Sequence, residues 1–271
     1  MTRFLPWVLF VLLVGCDGTE SDDDSSAGDA ILDIEDEVLD DTPTLASVTW
    51  TTRDAVASQV RFGAGSDMNL TTPLDDPATD HSVLLLGLPP ATACSFQVVA
   101  GDEESDVQAV ETGELDDVFP GFVLDGDEQE KFMLTPLYAP EGADGPVILD
   151  GAGRTVWQHS DSRGLYVTRV RLARDGSGLI YNSSDLNGHH DDTQELVWVS
   201  WEGEEVRTEE VFLMGHDFVE KADGTIVTVA FEERGDVVGT KLVEIALDGT
   251  QTDTWSSWDC FDPEIHTHDE M

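Results

Sequence analysis

The chain has 271 residues, with 13 Lys and Arg against 57 Asp and Glu, and a formal net charge of -44. That balance excludes nucleic-acid or anionic-membrane binding through a basic surface, because holding a polyanion requires clustered cations. Hydrophobic residues still make up 40% of the chain, enough for a buried core in one large domain or two ordinary ones. With 24 Gly, 11 Pro and 8% aromatics, and no long apolar helical stretch after the first residues, the sequence predicts an all-β protein.

Residues 4–15 read FLPWVLFVLLVG and follow Arg3, the layout of a signal peptide. At 12 residues this run is too short to span a bilayer comfortably as a helix. Leu13-Val14-Gly15-Cys16 resembles the bacterial lipobox, so residues 1–16 are the expected lipoprotein signal peptide and Cys16 the expected lipidated residue. Asp17 directly after it resembles the inner-membrane retention signal of enteric bacteria. The implied location is the bacterial cell envelope, lipid-anchored, on its periplasmic side or at the cell surface. Residues 17–52 contain no Lys or Arg, and the acidic, Ser- and Gly-rich stretch at 17–28 cannot bury apolar area, so residues 17–43 are expected to form an acidic flexible tether. Its carboxylates lack the glycine turn and spaced ligands of a calcium loop. The other two cysteines, Cys94 and Cys260, fall in different predicted domains and read as two buried free thiols.

Short alternating runs at residues 47–50, 58–62, 82–86 and 95–100 predict a β-sandwich over residues 44–115. The spacing of Leu88, Pro90, Thr92, Cys94, Phe96 and Val98 resembles the fibronectin type III pattern that enters a core strand, with Trp50 as that family's early core tryptophan. Cys94 stands where the family has a tyrosine whose hydroxyl closes a corner onto the backbone, so here packing alone is expected to hold the corner. Such modules commonly space other domains, so no chemistry is assigned to this one, and His81 is expected at the surface.

Beyond residue 119 two families of turns interleave. Gly176 and Gly224 are 48 residues apart; Gly153, Gly203 and Gly249 are separated by 50 and 46. A unit of that size with two hairpins predicts a four-stranded antiparallel sheet, the size of a β-propeller blade. In one unit the strands are expected at residues 216–221, 226–231, 241–247 and 251–255. This assignment places the Asp-Gly turns on one rim and the longer loops on the other. His159, His189, His190, His216, His266 and His268, with Arg163 and Arg234, fall on the second rim. They read either as a cationic or nucleophilic cluster at a channel mouth, or as residues collected there because the short turns have no room for them.

Residues 147–157 (VILDGAGRTVW), 215–227 (GHDFVEKADGTIV) and 242–258 (LVEIALDGTQTDTWSSW), preceded by a small sandwich, resemble bacterial arylsulfate sulfotransferases. The resemblance covers residues 119–271. It implies an exported six-bladed propeller that moves a sulfuryl group from a phenolic sulfate donor to a phenol acceptor through a histidine, without a nucleotide donor or other cofactor. A neutral imidazole is a competent nucleophile near neutral pH, and Arg forks onto oxyanions. His216-Asp217-Phe218 matches the family's His-His-Asp motif with Gly215 replacing the first His, which implies that His216 contacts the oxyanion or moves a proton and that Asp217 orients it. His268-Asp269 lies 52 residues later, but residues 265–271 lack the Trp and Asn of the family's next signature, and no position matches the histidine that accepts the sulfuryl group.

The catalytic candidates are therefore His216, Asp217 and His268, and the substrate-binding candidates Arg163, His189, His190 and Arg234. Residues 188–192 (GHHDD) offer ligands in a row, but adjacent histidines rarely both reach one ion, and no metal site is assigned. The fold expected is a fibronectin type III-like sandwich followed by a partial, roughly three-blade propeller. Such an open arc implies either a C-terminally incomplete copy, inactive alone, or a homo-oligomer that closes the ring. The competing function is a non-catalytic surface lipoprotein that binds a protein or glycan, favoured by an acidity that repels aryl sulfates at long range.

Overall fold

The computed structural model describes residues 30–115, 122, 125, 132–137, 144–184, 193–235 and 237–260. Among them the chain is all-β, with several antiparallel sheets, none closed on itself, and a single short 3₁₀ turn at Ser257–Asp259. The signal peptide, Cys16, His189, His190, His266 and His268 lie outside the described residues.

The first eight strands are β1 (Ile31–Val38), β2 (Ala46–Val56), β3 (Ser58–Ala64), β4 (Leu70–Thr71), β5 (Ala78–Leu85), β6 (Ala93–Ala100), β7 (Glu103–Glu104) and β8 (Gln108–Glu111). They form two sheets, β1-β2-β5 and β4-β3-β6-β7, with β8 also paired to β6. Period-two alternation turns Val48 and Trp50 of β2 and Cys94, Phe96 and Val98 of β6 into one shared core. The expected tether overlaps this core: residues 31–38 form β1, paired to β2 from Ile31↔Thr52 to Val38↔Ala46. Ile31, Ile34 and Val38 pack inward while the carboxylates between them point out, as suits a sheet edge that must not recruit another strand.

Two expectations for the sandwich are corrected. His81 is buried, not at the surface: its ring stacks on Trp50 at 5.0 Å between centroids, and its nitrogens lie 2.6 Å from Asp75 Oδ2 and 3.1 Å from Thr52 Oγ1. With a partner at each nitrogen, the imidazole can leave water at little cost. The corner at Cys94 is not held by packing alone, since the Thr112 hydroxyl donates to Pro89 O at 2.6 Å and accepts from Thr92 N at 3.0 Å. Cys94 and Cys260 are both free thiols, but only Cys94 is buried; Cys260 is exposed beyond the last strand.

The remaining strands are β9 (Met133–Leu137), β10 (Gly145–Leu149), β11 (Thr155–Gln158), β12 (Tyr166–Leu172), β13 (Gly178–Ser184), β14 (Thr193–Ser200), β15 (Glu205–Phe212), β16 (Met214–Glu220), β17 (Ile226–Arg234), β18 (Val237–Ile245) and β19 (Gln251–Ser256). They form a three-stranded sheet, β11-β10-β9, then two four-stranded meanders, β12 to β15 and β16 to β19. The strand expected at residues 241–247 is β18, which starts earlier because it pairs with β17 back to Val237↔Arg234 and ends before the Ala246 turn. Gly224 and Gly249 hold φ of 79° and 81°, and each donates its N–H to the carbonyl three residues back at 3.0 Å. A three-residue loop closed in this way needs the left-handed position, where a Cβ is costly.

Alternation in β13 and β14 directs Leu179, Tyr181, Val197 and Val199 toward Ile148, Val156 and Trp157 of the preceding sheet. Ile180 and Leu196 go to the opposite side, onto Met214, Phe218, Ile226 and Val243 of the following sheet. The sandwich is packed onto the same stack and is not a detached spacer. Leu45 is fully buried in the cluster around Trp157, joined by Leu39, Leu84 and Leu86, and Thr44 Oγ1 donates to Val156 O at 2.7 Å. Leu45→Ala is therefore expected to cost about 2–5 kcal/mol, read from urea denaturation followed by tryptophan fluorescence. A loss well below about 1 kcal/mol would show that the sandwich does not brace the sheets.

Candidate anion-binding site

The connection from β11 to β12 carries His159, Asp161 and Arg163, and is tied to β10 by His159 N–H to Pro146 O at 3.1 Å and Asp161 N–H to Asp144 O at 2.7 Å. This places the Arg163 guanidinium among three carboxylates. It donates to Asp161 at 2.6 Å, to both oxygens of Glu205 at 2.8 Å, and to Glu195. Asp161, with a fully buried side chain, also accepts from Ser183 Oγ at 2.6 Å and from the Tyr181 hydroxyl at 3.2 Å. The hydrogen bonds from Arg163 hold Glu205 below the usual carboxylate range and push the guanidinium pKa still higher. Burial, then the charges of Asp161 and Glu205, raises the Tyr181 phenol.

His159 stacks against Trp157 at 6.3 Å, and its Nε2 lies 3.7 Å from Glu205 without a hydrogen bond. Burial lowers its pKa against the pull of Glu205 and Asp161. Arg163 is the larger influence that lowers the Glu205 pKa, with His159 a smaller one. Three carboxylates around one guanidinium form an anionic knot, so Arg163 has no donor directed at a substrate. A cleft of about 470 Å³ opens beside His159, but Asp40, Asp41 and Glu114 in its wall make it a poor place for an anion. Arg234 is likewise engaged: it is the last residue of β17, 3.3 Å from Glu232 and over the Trp258 ring at 5.2 Å.

His216 and Asp217 lie within β16, which begins two residues before the strand expected at 216, so His216 does not end a long loop; the connection from β15 is the single residue Leu213. The β16–β17 register jumps from Met214↔Ala230 to Phe218↔Thr228, so Gly215, His216 and Asp217 face only Val229. Such bulges re-aim side chains. A Cβ at Gly215 would stand 3.2 Å from Val229 O, a tight approach that suits glycine there. The His216 side chain is exposed and makes no hydrogen bond or ion pair with a described residue. No contact joins it to His159, so the two described rim histidines do not converge.

Asp217 reaches across to β12 of the preceding sheet. Its Oδ1 lies 3.1 Å from Arg169 Nε and 2.9 Å from Arg171 Nη2, and accepts from Phe218 N at 2.9 Å. Arg171 Nε donates to Phe218 O at 2.6 Å, with its guanidinium 5.9 Å from the Phe218 ring centroid. Partial burial alone would raise the Asp217 pKa; the Arg171 hydrogen bond and the Arg169 charge outweigh it and lower it. A second register shift, between Val167 and Arg169 on β12, is stapled by Asn182, whose Oδ1 accepts from Arg169 N at 2.6 Å and whose Nδ2 donates to Thr168 Oγ1 at 2.7 Å.

Arg169 and Arg171 were absent from the residues expected on the sequence. Their alternation with Val167 and Val170 reads as the solvent face of an ordinary strand, and the available signal was two arginines, two positions apart, in a chain with only 13 cations. Chemically the pair can receive an oxyanion, because two planar forks share a single carboxylate and leave one positive charge uncompensated.

The Arg163 knot generates a pH-dependent prediction. Glu205 has a depressed pKa, so its contribution is complete above the ordinary glutamate value of 4.5 and is lost as pH falls through the lowered folded value. Arg163→Met is expected to cost about 3 kcal/mol at neutral pH, because it strands buried charge, and distinctly less at about pH 3. Urea denaturation at the two pH values checks this, and an equal penalty at both would refute the ionic assignment.

No protein-family model matches this chain, and a search of curated proteins found no match either.

Proposed function

We propose that this is a lipid-anchored cell-envelope protein of the arylsulfotransferase type, in which His216 faces the sulfuryl group of an aryl sulfate. On this reading the two-sheet unit is a fibronectin type III-like sandwich, the stacked meanders are blades of a β-propeller of six-bladed type, and Cys16 carries the lipid. The strand orders β1-β2-β5 and β4-β3-β6-β7, with β8 also on β6, and the face-to-face stacking of four-stranded meanders, support the architectural part. The observation that carries the functional part is the state of His216: exposed, unbonded among the described residues, and next to an Asp217 fixed by two arginines from the neighbouring sheet.

Cleaving an aryl sulfate moves charge onto the leaving phenolate, and an imidazole at the bridging oxygen can hold or supply the proton there. Asp217, clamped through one oxygen, fixes the backbone that presents His216. The competing reading, a non-catalytic surface lipoprotein that binds a protein or glycan, is favoured by the engagement of Arg163 and Arg234 with the chain's own carboxylates.

The two readings separate on 4-nitrophenyl sulfate binding to the full chain, followed by ligand-observed NMR. His216→Ala is expected to weaken binding by about tenfold or more, equivalent to a lost charged hydrogen bond, with an unchanged melting temperature because the ring is exposed. No binding, or equal binding by the two proteins, overturns the sulfotransferase reading in favour of the binding module.

A further inference from the structure

We propose that Arg169 and Arg171 form a seat for a tetrahedral oxyanion, a sulfate or phosphate group, and that Asp217 is its built-in competitor. This deepens the reading of the His216 site and rests on it for the sulfate case. The first argument is charge balance, since two neighbouring arginines here share one carboxylate. Arg61, Arg154, Arg207, Lys221, Arg234 and Lys241 are each ion-paired to a carboxylate of their own. Arg169 and Arg171 divide one, and their side chains remain 45% and 41% exposed, against 18% for Arg163 in its knot.

The second argument is donor geometry. A guanidinium carries five N–H donors. Arg171 directs one to Asp217 and one to Phe218 O, and Arg169 approaches Asp217 at 3.1 Å without a side-chain hydrogen bond, so most of both forks has no hydrogen-bond partner among the described residues. The two residues stand at i and i+2 on one strand, about 7 Å apart, a span that a tetrahedral group with three outer oxygens can bridge. Arg171 is also held in advance, by Phe218 O and the Phe218 ring, while Asn182 fixes the backbone from which Arg169 projects. The ordering entropy lost on binding is thereby reduced for Arg171.

The overall charge of -44 does not rule this out. At physiological ionic strength the screening length is about 8 Å, so remote carboxylates are largely invisible to an ion in the seat, whereas Arg169, Arg171 and Asp217 act at contact. The acidic surroundings instead exclude large polyanions and leave the seat to small ones. Asp217 offers the forks a carboxylate oxygen that an incoming anion must share or displace. This gives a result that a purely structural ion pair would not: removing the charge of Asp217 should strengthen anion binding.

The test is titration of the full chain with inorganic sulfate and, separately, inorganic phosphate at low ionic strength, followed by NMR shifts of arginine side chains or by calorimetry. Asp217→Asn is expected to raise affinity several-fold, the double variant Arg169→Gln/Arg171→Gln to lower it at least tenfold, and Arg61→Gln, on β3 and paired to Glu104, to leave it unchanged. If the double variant does not fold, the gain in Asp217→Asn decides alone. No gain in Asp217→Asn, or unchanged binding in a folded double variant, overturns the seat even if 4-nitrophenyl sulfate still binds through His216. A seat that follows these variants but prefers phosphate over sulfate upholds this inference and counts against the sulfotransferase reading.

Discussion

All seven residues of β13 are buried, with alternate side chains committed to different neighbouring sheets. A sheet covered on both faces can carry charge only at its ends, on its first strand and on its last strand. That constraint sorts the cations of the stack. Arg163 enters between two sheets and must bring carboxylates with it, because an unpaired guanidinium there would cost several kcal/mol. Arg169 and Arg171 sit on β12, which opens its sheet, and can keep their heads in solvent. The same residue type therefore becomes structural in one place and available in another through burial alone.

The link between sandwich and stack follows from the same demand for covered faces. The cluster around Trp157 would be open to water on one side without Leu39, Leu45, Leu84 and Leu86, and these leucines come from β5 and from segments flanking β1, β2 and β5. The sandwich therefore takes the place a further sheet would occupy. Thr44, bonded to Val156 O, fixes the angle at which it arrives.

What was legible in the sequence was local. The turns at Gly153, Gly176, Gly203, Gly224 and Gly249 were readable because a positive φ requires a particular residue at a particular place, and all five have one. The alternation around Trp50 and Phe96 was readable for a similar reason, since a strand sorts its neighbours by period two. The candidate site was legible only at His216 and Asp217. The partners of Asp217 come from more than 45 residues upstream, and nothing in the stretch around Arg169 announces that they meet. His81 was misread because its burial depends on Trp50, Thr52 and Asp75 together, and β1 because its acidic residues hide three inward apolar ones.

The Asp-Gly turns also bear on how the protein ages. An aspartate followed by glycine is chemically fragile, since its carboxyl can close onto the next amide and rearrange the backbone to an isoaspartyl link. In the hairpins at Asp175, Asp223 and Asp248 both reactants are engaged elsewhere. The glycine N–H donates to a carbonyl three residues back, and the carboxylate accepts from the backbone N–H of Ser177, Thr225 or Thr250. The Ser177 hydroxyl at Asp175 and these backbone bonds lower the carboxyl pKa at the three positions, which favours the ionised and less reactive form. The geometry that sets the repeat thus also shields its weakest covalent points for as long as the hairpins stay folded.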